Sequence, residues 1–398
     1  MTKVVFMANN NIGPGQSGGD TIFLEFIKNW QKKLDITLFG SAETKLLTDR
    51  YHLNIKKFIL TDIANQQCFP TTKNIVIHQI KRGLKAIISV FKNRKHLKSI
   101  DYIYSVSDFY PDLLPALIVK LFHPKVVWLA GYYLVAPPPW QKTSPYYVNR
   151  QIIKNIFYWF FQLFSRLLVN LFADTVLITS EPDKIYFSNK KIVVVQGGVD
   201  IAESKKYLKS KITIPVSKRR FDAVFIGRLH PQKGVLEIVD IWQKVVQKLP
   251  GALLAIIGDG QLERDLKLKI KNLKLSQNIV LFGFQTGNSK YNIFKQSKIV
   301  VHPAIFDSGG MAAAEAMAWG LPGVSFDLPA LKTYYPKGMI KTACFDLDAF
   351  ATNIVQLLSS PSNYKTTSQE ALELITNVWD WSKRSNKIFS EIFNHEKV

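Results

Sequence analysis

The sequence predicts an α/β protein built from two parallel-sheet domains. Three observations carry that prediction. The chain has 398 residues, the length of two ordinary domains. Short apolar runs alternate with helix-length segments along most of it, as expected of strands buried on both faces and joined by helical crossovers. A polar, lysine-rich stretch from Ser204 to Arg220, with Pro215 inside it, interrupts the alternation and reads as a linker. The expected division is 1–203 for the first domain, 204–220 for the linker, 221–375 for the second domain and 376–398 for a C-terminal helix.

Composition sets further bounds. Hydrophobic residues make up 47% and aromatics 12%, ample for packed cores and against wholesale disorder. The two cysteines, Cys68 and Cys344, suggest neither a disulfide framework nor a zinc cluster and fit a reducing compartment. Met1-Thr2-Lys3 leads straight into a strand-like run, so no signal peptide is expected. The net charge of +22 calls for an anionic partner: nucleic acid, an anionic membrane or a charged acceptor. Charge alone does not separate these.

The first domain opens with a strand from Val4 to Ala8. A glycine-rich loop, Asn9 to Gly19, follows and ends on Gly18-Gly19; Asp20 is expected to cap a helix running to about Lys33. The dinucleotide fingerprint spacing is absent, so a cofactor-binding reading is weak. Between Asp62 and Asp101 there is no acidic residue, while Lys73, Lys81, Arg82, Lys85, Lys92, Arg94, Lys95 and Lys98 fall in the interval. Ile80, Leu84, Ile87, Ile88 and Phe91 recur at helical spacing. This is a basic amphipathic helix, with its apolar face expected on the sheet and its cations toward an anionic membrane surface.

Tyr102 to Ser105 is the next strand. Ser107 to Asp112 opens a helix near Leu113, Lys125 to Leu129 is a further strand, and a long aromatic loop runs from Gly131 past Trp140 to Tyr147. Loops at strand carboxyl ends are where substrates are read. Ile152 to Phe172 is the most apolar helix candidate. Lys154 and Arg166 interrupt it, and Asn155, Gln162, Arg166 and Asn170 form a polar stripe, so a transmembrane span is rejected. Phe157, Tyr158, Trp159 and Phe160 are expected in the core in preference to dipping into a membrane.

In the second domain strands are expected at Phe221 to Ile226, Leu253 to Ile257, Ile279 to Phe282, Ile299 to Val301 and Gly323 to Phe326. Gly227 to Gly234 places two cations, Arg228 and Lys233, on one short loop. Arg can grip phosphate through two donors and Lys acts as a point charge, although surface charges in a turn are an equally plain account. From Val301 the chain reads as a buried strand, a glycine loop, an alanine-rich helix from Met311 and a stop at Gly320-Leu321-Pro322. Asp307 and Ser308 are good N-cap residues. The amides of Gly309, Gly310 and Met311 then aim out of the sheet's carboxyl edge, where an anion fits. Asp307 and Glu315 flank these amides with seven residues between them. A capped helix with a solvated Glu fits the same residues as well.

This stretch, with its Ala318-Trp319-Gly320-Leu321-Pro322 ending, resembles the signature of retaining GT-B glycosyltransferases of family 4 (glycosyl transferases group 1). In that family Glu, seven residues and Glu straddle a phosphate-binding helix start, and here Asp307 takes the first place. The resemblance implies a GT-B fold: two Rossmann-like domains facing a cleft, and a C-terminal helix, opened by Trp379-Asp380-Trp381-Ser382, returning to the N-domain. It implies that Arg228 and Lys233 bind the diphosphate and, with Asp307, form the catalytic set. Glu315 would accept ribose hydroxyls, Asp307 sugar hydroxyls, and the amides of Gly309, Gly310 and Met311 the phosphate. Gly283 and Phe284 would line the base, and Gly18 and Gly19 would face the donor phosphate and the acceptor. Many relatives carry a sugar-contacting histidine where this chain has Leu129-Ala130-Gly131.

The implied reaction moves a sugar, with retention, from a UDP- or GDP-sugar to a hydroxyl of a glycan or lipid-linked acceptor in cell-surface polysaccharide synthesis. The leaving phosphate takes the acceptor's proton. The nucleotide-sugar is a substrate, so no cofactor and no metal are expected. The implied location is the cytoplasmic, inner face of the cell membrane, with peripheral attachment. No nucleic-acid partner is expected, since the cations come without a recognition motif. The alternative is a catalytically impaired relative that binds sugar or nucleotide or stabilises a partner enzyme. Asp307 and the missing histidine keep it open.

Overall fold

The computed structural model describes residues 1–11, 17–63, 72–141 and 152–393. Residues 12–16 of the first glycine loop, Cys68 and the aromatic loop from Lys142 to Tyr147 lie outside them, as do the side chains of Lys73, Lys154 and Asn155. The chain forms two compact units. One comprises Met1–Pro138, Ile153–Gly197 and Arg384–Val398, the other Pro139–Ile152 and Gly198–Lys383.

The first unit holds seven strands: β1 (Lys3–Ala8), β2 (Asp35–Ser41), β3 (Lys57–Asp62), β4 (Tyr102–Ser105), β5 (Val127–Gly131), β6 (Thr175–Ile178) and β7 (Lys191–Val194). Their spatial order is β3-β2-β1-β4-β5-β6-β7, and every neighbouring pair is parallel. Both faces are covered by helices, so the central strands carry apolar side chains on both sides; Val4 to Ala8 are all buried.

The first helix spans Gly18–Trp30, and its cap differs from the sequence reading. Ser17 is the N-cap; its hydroxyl accepts the Asp20 amide at 3.2 Å, and the Asp20 carboxylate accepts the Ser17 amide at 2.7 Å. Asp20 therefore closes a capping box from the third helical position instead of capping the helix itself. At the other end Trp30 stacks on Phe26 and meets Phe389 and Phe393 edge-on at 5.8 and 5.7 Å. Its indole N–H donates to the Ser385 carbonyl at 3.1 Å. The last helix, Trp381–Phe393, is thus fastened from residue 384 onward to the first unit.

Three helices form one layer: Thr72–Lys92, Tyr110–Phe122 and Ile152–Phe172. Their strands are added in one direction across the sheet (β3 to β4, β4 to β5, β5 to β6), so right-handed crossovers put them on the same face. Phe91 meets Phe122 at 5.8 Å, and the Tyr110 hydroxyl donates to the Phe161 carbonyl at 3.0 Å, which places the helices side by side.

Two expectations about this layer are overturned. Ile80, Leu84, Ile88 and Phe91 are exposed instead of packing on the sheet, whereas Arg82, Ala86, Ser89 and Val90 are buried. Arg82, read as part of a cationic outer face, turns inward because the Glu43 carboxylate takes both its Nη2 bonds at 2.9 Å and the Asn9 carbonyl accepts from Nη1. Lys85 pairs with Asp62 at 2.7 Å. In Ile152–Phe172 the inward face carries Gln162 and Ser165, while Phe157 and Phe160 are about half exposed instead of lying in the core. No helix of the described residues is long and apolar enough to cross a membrane.

The second unit holds β8 (Phe221–Ile226), β9 (Leu254–Ile257), β10 (Ile279–Leu281), β11 (Ser297–His302), β12 (Gly323–Phe326) and β13 (Met339–Thr342) in the order β10-β9-β8-β11-β12-β13, again all parallel. Its core gathers Trp242, Ile256, Val301, Phe326 and Phe350. Part of the stretch read as linker is structured, with a helix at Ala202–Leu208 and a 3-10 turn at Val216–Lys218.

Candidate functional site

In the second unit the strand order reverses between β8 and β11. Chains leaving those two strands diverge to opposite sides, so a crevice opens beyond their carboxyl ends. β8 delivers the loop carrying Arg228 and Lys233; β11 delivers the loop carrying Asp307 to Gly310. The topology therefore brings two distant stretches of sequence to the place where an open α/β sheet binds ligands.

The two loops are bonded to one another. The Gln232 carbonyl accepts the Ile305 amide at 3.1 Å, and Lys233 Nζ lies 2.5 Å from Asp307 Oδ2. Gly234 has φ +66°, and a Cβ there would sit 1.9 Å from the Pro303 carbonyl oxygen, so only glycine permits this approach. Arg228 is exposed, and among the described residues no acceptor faces its guanidinium.

Asp307 is largely buried, its side chain 9% exposed, and all four of its polar contacts lie within the protein. Oδ2 receives Lys233 and, at 3.2 Å, His302 Nε2; Oδ1 accepts the amides of Gly309 at 3.1 Å and Gly310 at 2.9 Å. Burial alone would raise its pKa, but the Lys233 ammonium and the His302 ring reverse this and hold the carboxyl well below the usual range. The Gly309 and Gly310 amides are therefore not free to meet an anion, as the sequence reading had them; Asp307 folds back onto them. The N-cap residue is Gly310, at φ +64°, where a Cβ would strike Leu331. The buried Tyr335 hydroxyl donates to the Gly310 carbonyl at 2.8 Å and fixes the loop from behind. Met311 and Ala312 begin the helix Met311–Met317, and their amides have no intrahelical acceptor.

One turn on, Glu315 pairs with Lys290 at 2.6 Å. Lys290 lies on the helix Gly287–Lys295, which follows the loop of Gly283 and Phe284 at the end of β10. Burial works against the Lys290 ammonium, but the Glu315 carboxylate more than offsets it and the lysine titrates above its usual range. Gly283 accepts the Gly258 amide through its carbonyl at 2.8 Å, and the Gly227 amide donates to the Ile257 carbonyl at 3.1 Å. The carboxyl ends of β10, β9 and β8 are thereby tied in series, with Phe284 exposed at one end. Arg228, Lys233, Asp307, Gly309, Gly310, Met311, Glu315, Gly283 and Phe284 all lie along this edge.

Gly18 and Gly19 belong to the first unit, at the start of its first helix, beside that sheet's own reversal between β1 and β4. A Cβ on Gly19 would lie 3.2 Å from the Tyr133 ring. Asn9 and Asn11, just past the end of β1, are held in place: Asn11 Nδ2 donates to Asp20 at 2.5 Å, the Asn9 amide to Asp112 at 2.5 Å, and Arg82 to the Asn9 and Asn11 carbonyls. Burial pushes the Asp112 carboxyl up to about 7.

His302, Tyr335 and Lys290 are site residues that sequence reasoning missed. His302 had a signal, five residues before Asp307. Tyr335 and Lys290 had none, because their partners lie 25 residues away across elements. Among the described residues no group of three or more His, Cys, Asp or Glu is arranged to hold a metal.

Residues 209–373 match the family described as glycosyl transferases group 1. An Escherichia coli UDP-Gal:alpha-D-GlcNAc-diphosphoundecaprenol alpha-1,3-galactosyltransferase is 27% identical over 217 residues, which are 52% of this chain and 54% of that one. The chain thus spans about half the length of this curated relative. Among solved structures, Anabaena HepE in complex with UDP and glucose superposes with a TM-score of 0.67 at 17% identity, over 98% of both chains. A point mutant of S. aureus TarM, in complex with Fondaparinux, alpha-GlcNAc-glycerol and UDP, does so with 0.72 at 12% identity, over 99% of both. The match to the glycosyl transferases group 1 is thus confined to residues 209–373, while the two parallel sheets are those of the GT-B fold.

Proposed function

We propose that this protein is a retaining glycosyltransferase that moves a sugar from a UDP- or GDP-sugar to a hydroxyl of a glycan or lipid-linked acceptor, on the cytoplasmic side of a membrane, in cell-surface polysaccharide synthesis. The observation that carries the reading is the pairing at the β8/β11 reversal. One cation, Arg228, is exposed and, among the described residues, unengaged there; the second, Lys233, is held in place by Asp307. An exposed guanidinium and an anchored ammonium at the mouth of a switch-point crevice suit a diphosphate.

In this reaction the bond between the sugar's anomeric carbon and the diphosphate oxygen breaks, and negative charge grows on that oxygen. Arg228 and Lys233 lower the barrier by meeting that charge, Lys233 from a position that Asp307 already fixes. The acceptor oxygen bonds to the same face of the anomeric carbon, and its proton passes to the departing phosphate oxygen. Asp307, with both oxygens engaged, acts as the group that orients Lys233 and closes the glycine loop. Glu315 takes ribose hydroxyls, and Lys290 holds it for that purpose. The reaction as drawn uses no metal and no cofactor.

The test is binding and slow hydrolysis across UDP-, GDP- and ADP-sugars. One base should stand out. Arg228→Ala should lower kcat/KM by roughly 10²-fold with an unchanged melting midpoint, because its side chain is exposed and pairs with nothing among the described residues. Glu315→Gln and Lys290→Met should each raise the donor KM about tenfold with little change in kcat, the mark of lost uniform binding. Binding without turnover in the presence of acceptor extracts would favour a non-catalytic relative. No binding to any nucleotide-sugar would remove the reading altogether.

A further inference from the structure

We infer that the outer surface of the three-helix layer in the first unit is a docking face for an anionic lipid bilayer. This rests on the layer alone and does not depend on the transfer reaction. On Thr72–Lys92 the residues Ile77, Ile80, Leu84, Ile88 and Phe91 are 40–57% exposed and follow one another at intervals of three and four, a single stripe. On Ile152–Phe172 a second stripe, Phe157, Phe160, Phe164, Leu167 and Leu171, is 47–61% exposed at the same spacing. Between them Tyr110–Phe122 adds Leu121 and Phe122, 53% and 68% exposed. Soluble chains scatter single exposed apolar residues; aligned stripes on neighbouring helices mark a surface with a partner.

The outward orientation is locked. Gln162, on the inward side of its helix, donates to Asp108 and to the Leu134 carbonyl at 2.8 Å each, and accepts the Ala136 amide at 2.6 Å. Arg82 plays the same part in the other helix through Glu43 and the Asn9 carbonyl. Rolling either helix to hide its apolar side chains would strand these buried polar groups.

Charge selects the partner. From residue 63 to 173 the chain has fourteen Lys and Arg against three Asp. Asp108 and Asp112 are buried, which leaves Asp101. Lys81, Lys92, Arg94, Lys95 and Lys98 are exposed on or just beyond the first stripe. Apolar stripes bordered by cations and almost free of carboxylates have the chemistry of helices lying in an anionic lipid interface, with the rings among the acyl chains and the ammoniums at the phosphates. A second copy of this chain would set like charges against each other. A nucleic acid would satisfy the cations but leave the Ile and Leu side chains wet.

The experiment is vesicle flotation of the full chain with phosphatidylcholine alone and with phosphatidylglycerol added, at low and high salt. Wild-type protein should float with the anionic vesicles. Leu84→Ser/Phe160→Ser should weaken partitioning at least about tenfold, and should do so at both salt levels, because two large apolar side chains no longer insert. Lys92→Glu/Lys95→Glu should weaken it at low salt and differ little from wild type at high salt. All three proteins should keep the same melting midpoint, since every substituted side chain is exposed. Any of three results overturns the proposal: equal binding to neutral vesicles, wild-type-like flotation of both variants, or absent flotation with a concentration-dependent mass that shows the face covered by a second copy.

Discussion

Lys233→Ala is expected to lower kcat/KM for sugar transfer by roughly 10²–10³-fold, the range for removing one preorganised donor from a developing oxyanion. It should also weaken the fold, which Arg228→Ala should not. Lys233 is 16% exposed and its partner Asp307 9%, and removing one member of such a pair leaves the other charge without its main counterion. His302 and two amides still hold Asp307, so about 2 kcal/mol is expected, short of the full cost of a broken buried pair.

The pH dependence follows from the same geometry. In the wild type Asp307 has a folded pKa below its unfolded one. Its contribution to stability is therefore fully present above the ordinary carboxylate pKa and is lost as pH falls through the depressed folded value. Without Lys233 burial weighs more heavily and the folded pKa rises, so acid unfolding should begin at a higher pH in the variant. Unfolding followed down an acid titration, together with initial rates at neutral pH, checks both parts. A variant with wild-type rates removes Lys233 from the chemistry, and an unshifted acid limb removes it from the electrostatics of Asp307.

Gly234→Ala is expected to have the largest effect on stability, about 2–5 kcal/mol, with loss of donor binding. Left-handed backbone costs a non-glycine residue about 1–2 kcal/mol, and a Cβ placed 1.9 Å from the Pro303 oxygen forces the two loops apart. Two other glycines separate these causes. Gly283 has φ +66° but nothing within 4 Å of a Cβ, so Gly283→Ala should cost about 1 kcal/mol from backbone strain alone. Gly251 has neither feature, and Gly251→Ala should be neutral or slightly stabilising through the unfolded chain. Melting midpoints of the three variants give the test. A Gly234→Ala midpoint no lower than that of Gly283→Ala would mean the Pro303 contact does not constrain the loops.

The segments that carry most of the site were legible because their signals are local. Phe221–Ile226 and Gly323–Phe326 are apolar runs bounded by glycine or polar residues, and the strands match them to the residue. The Arg228 to Lys233 and Asp307 to Glu315 spacings lie within single strand–loop–helix passages, and the resemblance to group 1 glycosyltransferases rests on such passages. β2, β3, β6 and β13 were not singled out. Lys57–Asp62 is an edge strand with polar ends, Met339–Thr342 and Thr175–Ile178 are only four residues long, and Asp35–Ser41 holds only a short apolar run.

What the sequence determined by itself is therefore the alternation of strands and helices, the two sheets it requires, the loops that hold the candidate site, and the surplus of positive charge. Only the tertiary structure decided how polar groups far apart in sequence pair. It engaged the Gly309 and Gly310 amides with Asp307, set Lys290 against Glu315, and drew Arg82 and Gln162 beneath their helices. Periodicity states that a helix has two unlike faces; it does not state which one the sheet receives. In Thr72–Lys92 and Ile152–Phe172 the inward face is the one whose buried polar side chains find partners, and the apolar stripes are left outside as a consequence.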